Sequence, residues 1–112
     1  MRPSPPSGWP ARSSPDDMAT IGVLTLELRL ESSHSLKDKR HVVKSLEDRL
    51  RNKFNVAVAE IDCQELWQRA TLAAVTVSFD HAHAEKVLRS VEDEAADLLG
   101  GELADATLEW LS

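Results

Sequence analysis

Seven residues, His34-Ser35-Leu36-Lys37-Asp38-Lys39-Arg40, concentrate a histidine, three cations and two helix-capping side chains. A helix that starts here turns free backbone N–H groups, and the positive end of its dipole, toward any anion that approaches. Lys37, Lys39 and Arg40, joined by Arg69, would add charge-assisted hydrogen bonds to a phosphate, and His34 can donate as well. Lys44 and Arg51 continue the cationic stripe along the same helix face. The candidates for anion or RNA contact are therefore His34, Lys37, Lys39, Arg40, Lys44, Arg51 and Arg69. The alternative is structural: Ser35 and Asp38 satisfy the helix end, and the cations pair with Glu60, Asp62 or Glu65.

Other chemistries find less support. Trp67, set among polar residues in Asp62–Arg69, can anchor a partner or cover the open end of a core. Cys63 is the single thiol; His34 is a conceivable base for it, but no third group or oxyanion hole is recognisable, so no catalytic residue is assigned. His81 and His83, with His34 and His41 elsewhere, fall short of a zinc spacing, and no metal ligands are assigned. Neither a phosphate-binding glycine loop nor a dinucleotide glycine pattern is present, and no cofactor is expected. Sheet-based RNA readers stack bases on aromatic residues. The five Phe and Trp residues here leave the middle of the first strand without one, so RNA contact would have to run through the helix.

The elements that must position these groups follow from periodicity. In residues 20–30, Leu24, Leu26, Leu28 and Leu30 alternate with Thr25, Glu27 and Arg29, the pattern of a half-buried strand. A helix is predicted from Ser35 to about Asn52, with Leu36, Val43, Leu46 and Leu50 on one face and Phe54 closing its end. Ser35 and Asp38 form a capping box with Asp in place of Glu. Val56–Asp62 and residues 69–79 read as strands. The second of these carries Thr71, Ala73, Val75, Val77 and Phe79 on one side, and its inward face stays open. Asp80 caps a second helix to about Leu99, its stripe being Ala84, Val87, Leu88, Val91, Ala95 and Leu98. Gly100-Gly101 ends it. Residues 103–111 form a last strand with Ala104, Ala106, Leu108 and Trp110 on one side.

The order strand, helix, strand, strand, helix, strand predicts an α+β fold. It is the ferredoxin-like βαββαβ sandwich, a four-stranded antiparallel sheet of order 4-1-3-2 with two helices on one face. That topology puts the loop before the first helix, the hairpin between strands two and three, and the Gly100-Gly101 turn at one end of the sheet. His34–Arg40 should then approach Asp62–Arg69.

The 112 residues suffice for one domain. All five prolines fall in residues 1–17, so those residues are expected to be a disordered Pro/Ser-rich tail, and 18–112 the single domain. Trp9 could dock, and translation could start at Met1 or at Met18. No apolar run is long enough to span a bilayer, and no secretory signal is recognisable, so the expected location is cytoplasmic without membrane contact. The net charge of −6 argues against coating DNA. It conceals a polarity: residues 34–54 carry seven cations against three anions, and residues 80–112 carry nine anions against two cations.

His34-Ser-Leu-Lys-Asp-Lys-Arg40, and Phe54-Asn-Val-Ala-Val-Ala-Glu-Ile-Asp62 with Leu66-Trp-Gln-Arg-Ala70, resemble the two signatures of the small bacterial YlxP-like proteins. The resemblance spans about residues 20–111. Ala57 stands where serine is expected, and the proline-rich tail departs from the usual short start. The resemblance implies the same ferredoxin-like domain and, being to a domain of unknown function, brings no catalytic residues. The genes of such proteins often lie near those for translation initiation and ribosome maturation. The leading expectation is a non-enzymatic accessory protein that contacts ribosomal RNA or a ribosome-associated protein. The competing one is a self-associating interaction module, a homo-oligomer formed through a sheet face or edge without nucleic acid. A third is an enzyme acting on an anionic small molecule near His34 and Arg69.

Overall fold

The computed structural model describes residues 19–112. The expectations placed on residues 1–17, on Trp9 and on Met18 lie outside the described residues. Strand β1 (Thr20–Arg29) is followed by helix α1 (Leu36–Lys53), strands β2 (Ala57–Asp62) and β3 (Arg69–Ser78), helix α2 (His81–Leu99), a 3-10 turn (Gly100–Glu102) and strand β4 (Leu103–Trp110). The sheet order is β2-β3-β1-β4 with every neighbour antiparallel. This is the ferredoxin-like sandwich, the expected order read from the other edge.

Alternation decides β1. Leu24, Leu26 and Leu28 point to the helix side and are fully buried, as is Leu30 just beyond the strand. They meet Val43, Leu46 and Leu50 of α1 and Leu88, Val91 and Ala95 of α2 in one core. Each such leucine contributes about 1.5–3 kcal/mol by leaving water. Gly22 shares this inward face. A Cβ added there would stand 2.7 Å from Leu88 Cδ1 and 2.7 Å from Trp110 Cζ3, so the absent side chain lets α2 and the last strand close over β1.

The structure decides the open face of β3 and corrects two expectations about facing. In β3 the inward set is Ala70, Leu72, Ala74 and Thr76, so Ala73, Val75 and Val77 occupy the face away from the helices. In α2, Leu99 rather than Leu98 joins the core, because it lies four residues after buried Ala95 on the same helix face. In β4 the register shifts opposite Glu27 and Leu28, which sets Leu103, not Ala104, across from Leu28. Ala106, Leu108 and Trp110 keep their expected side.

The ends of both helices are capped as their sequences specify. Ser35 Oγ accepts from the Asp38 N–H at 3.1 Å, and Asp38 Oδ2 accepts from the His34 N–H at 3.0 Å. The shorter Asp thus reaches the residue before the cap. Asp80 accepts from the Ala82 N–H at 3.0 Å. Gly100, with φ of 57°, ends α2 in a conformation that disfavours side chains.

Candidate functional site

The two expected segments do meet, and Lys39 is what joins them. On α1, Lys39 lies four residues before Val43 and seven before Leu46, so the helix turns it inward with the apolar stripe. Its side chain is 1% exposed. The ammonium donates to the backbone carbonyl of Cys63, and to those of Gln64 and Arg69 at 3.2 Å each. An ammonium has three N–H donors, so these carbonyls use them all. Glu60 Oε2 sits 2.9 Å from the same nitrogen with no hydrogen bond of its own; charge alone holds it there.

The hairpin between β2 and β3 is thereby fixed. Cys63 adopts a left-handed backbone conformation, φ 63°, at the point where Lys39 takes its carbonyl. Gln68 completes the attachment: its amide nitrogen donates to the carbonyl of Ser33 at 3.2 Å, and its own carbonyl accepts from the Leu30 N–H at 2.9 Å. The third expected neighbour arrives as well, since Ser32 donates to Glu102 beside the glycine turn at 3.4 Å.

This geometry divides the candidate cations. Lys39 is no anion contact: it is buried and its donors are spent. Arg51 bonds Glu47 at 2.9 Å and also the Val58 carbonyl. Val58 buries its side chain, and β2 is an edge strand, so this guanidinium closes part of an open strand edge. Arg69 is brought close by its carbonyl only. Its side chain alternates with inward Ala70, which places it on the opposite face of the sheet, across from Arg29. There Glu27, Asp62, Cys63 and Thr71 border a depression of about 440 Å³ with it. A second depression, beside Lys37 and His41, shares no residue with the first.

Lys37, Arg40 and Lys44 remain, together with exposed His34 and His41. At 100° per residue the three cations fall within about 60° of one another and rise over about 10 Å of helix. Among the described residues, none of them lies within 4.0 Å of a carboxylate oxygen. Trp67, 53% exposed, does not cover the core. It stands with exposed Leu66 on the loop that Lys39 holds.

One buried ionic group lies outside the sequence expectations. Glu94 on α2 receives Arg49 at 3.0 Å and Lys53 at 2.9 Å, which ties α2 to α1. Its carboxyl is held below the ordinary glutamate value, chiefly by the Lys53 hydrogen bond, then by that of Arg49, against the opposing effect of burial. Position 94 sits three residues after Val91 and one before Ala95, inside the apolar stripe. That placement was the available signal, as it was for Lys39.

Residues 21–108 match the family described as "Protein of unknown function (DUF503)". The chain belongs to the DUF503 family. A relative, "Uncharacterized protein YlxP" of Bacillus subtilis (strain 168), is 39% identical over 71 residues, covering 63% of this chain and 77% of that protein. This agrees with the resemblance of the two signatures. Among solved structures, the de novo designed protein Foldit4 superposes with a TM-score of 0.55 at 10% identity over 85% of this chain and 98% of that one. The Bacillus subtilis YxeP protein, a dinuclear metal binding peptidase of the M20 family, superposes with a TM-score of 0.56 at 14% identity, over 82% of this chain and 26% of its own. At such identities these two likenesses bear on the fold. Among the described residues of this DUF503 chain, no helix is long and apolar enough to cross a membrane.

Proposed function

We propose that this DUF503 chain is a non-enzymatic accessory protein that binds RNA, ribosomal RNA in the first instance, through the outer face of α1. The observation that carries the reading is the set Lys37, Arg40 and Lys44, exposed on one side of the helix without acidic partners among the described residues. His34 and His41 flank it, and Trp67 lies at the same end of the sheet. Such a surface reads backbone charge rather than base edges. The acidic remainder of the chain confines contact to this side.

Three phosphate contacts predict a characteristic salt response. Between 50 and 200 mM salt the affinity should fall by roughly 20- to 40-fold. Replacing Lys37, Arg40 and Lys44 together by Gln should remove both the binding and its salt dependence while leaving the circular dichroism spectrum unchanged. Ribosome co-sedimentation at the two salt concentrations is the test. Complete absence of the wild-type chain from ribosomal fractions at low salt would defeat the proposal.

A further inference from the structure

We infer that the depression beside the start of α1 seats one ribose phosphate unit. This seat rests on the RNA reading only for the strand that carries the unit. The depression has a volume of about 350 Å³ and is lined by Ser32, Ser33, Lys37, Asp38, His41 and Val42. Lys37 and His41 are four residues apart, so the helix stacks them on one face, with Asp38 and Val42 beside them. Ser32 and Ser33 come from the connection between β1 and α1. The backbone there is fixed: the Ser33 N–H donates to the Leu30 carbonyl at 3.0 Å, and the Ser33 carbonyl accepts from Gln68 Nε2 at 3.2 Å.

The decisive residue is Ser33. It is only 2% exposed, yet its hydroxyl hydrogen-bonds no group among the described residues. Buried hydroxyls are nearly always paired. This residue belongs to the lining, so its partner enters from the depression. The neighbours specify the partner's charge. Lys37 has no carboxylate oxygen within 4.0 Å among the described residues, and the first turns of a helix favour an anion. Ser32 is free to join, because its bond to Glu102 is long at 3.4 Å. Phosphoryl oxygens can accept from both serines, from Lys37 and from His41.

Asp38 narrows the class. Its Oδ2 accepts from the His34 N–H at 3.0 Å. An ionised carboxylate offers further acceptor sites and no donor, so a bare phosphate gains nothing from it and is repelled. A ribose phosphate brings the complement: its hydroxyl donates to Asp38 while its phosphate meets the serines and Lys37. On a nucleic-acid strand that hydroxyl is the 2′-OH, the group that distinguishes RNA from DNA. The seat therefore takes RNA in preference to DNA, a choice that exposed cations alone do not make.

NMR titration of the full chain with ribose 5-phosphate tests the seat without a polymer. Amide shifts centred on Ser32, Ser33, Lys37, Asp38 and His41 are expected, and Ser33→Ala should abolish them with circular dichroism unchanged. A second arm measures fluorescence anisotropy with a single-stranded RNA and the DNA of the same sequence at the two salt concentrations above. Ser33→Ala should weaken RNA binding by about tenfold without changing its salt slope, because it removes a hydrogen bond and no charge. Lys44→Gln, outside the depression, should lower that slope by about 0.7. Asp38→Ala should erase the preference for RNA over DNA. An absence of shifts with ribose 5-phosphate, or shifts that survive Ser33→Ala, overturns the inference; the hydroxyl then holds water only. Equal binding of RNA and DNA by the unaltered chain overturns the ribose contact at Asp38. Shifts with ribose 5-phosphate but no binding of either strand support the seat and refute the RNA reading alone.

Discussion

Lys39 stands in a signature rich in cations, yet its environment makes it a structural clamp, and its removal provides the clearest test of that assignment. Lys39→Met keeps most of the aliphatic stem that packs with Val43 and removes only the ammonium. Three backbone carbonyls, those of Cys63, Gln64 and Arg69, then lose a donor, and Glu60 loses its counter-charge. Each buried acceptor left unsatisfied costs about 1–3 kcal/mol, and breaking a buried ion pair from one side costs about 3–5 kcal/mol. Water entering the opened loop will recover part of this sum, which leaves a loss of about 3–5 kcal/mol. Small domains have roughly 5–15 kcal/mol in total, so the variant should fold but with a large fraction of its stability gone. With a urea slope near 2 kcal/mol/M, the unfolding midpoint should drop by about 2 M. Glu60→Gln should cost much less, because the carbonyls keep their donor. Amide hydrogen exchange in residues 63–69 should accelerate in Lys39→Met ahead of the β1 core. A loss below about 1 kcal/mol, or equal losses for the two variants, would refute the clamp and return Lys39 to the surface candidates.

Gly22→Ala should destabilise the fold by about 1–3 kcal/mol in a thermal melt, because the new methyl group meets both Leu88 and Trp110. Glu94 predicts a pH dependence. Its carboxyl is depressed in the folded state by Lys53 and Arg49, so below neutrality the unfolded chain binds its proton first and stability falls with pH. The contribution is fully present above the ordinary glutamate range and is lost as pH descends through the lowered folded value. The difference in melting temperature between the wild type and Glu94→Gln should therefore shrink from pH 7 to about pH 3; a constant difference would contradict the pairing.

Short-range interactions leave their mark in the sequence, and long-range ones do not. Strand β1 was legible because its leucines alternate without interruption. Both helix starts were legible because a capping side chain acts within three residues. The face of β3 was not, since Leu72, Ala73, Ala74 and Val75 are all apolar and both sides of that strand read alike. The offset of β4 was also hidden, because a register shift depends on the partner strand and leaves no mark in its own residues. For the candidate site, the approach of His34–Arg40 to Asp62–Arg69 followed from topology. The fates of the individual cations did not.

By itself, the sequence determined which segments become strands and helices, the order of the sheet and the end where the two charged signatures gather. These depend on local periodicity and on the few ways short connections can be made. Only the tertiary structure decided what each cation does. Lys37 and Lys39 are two residues apart and chemically identical, but a helix rotates about 200° between them. One ammonium reaches solvent, and the other reaches three carbonyls 24 to 30 residues further along the chain.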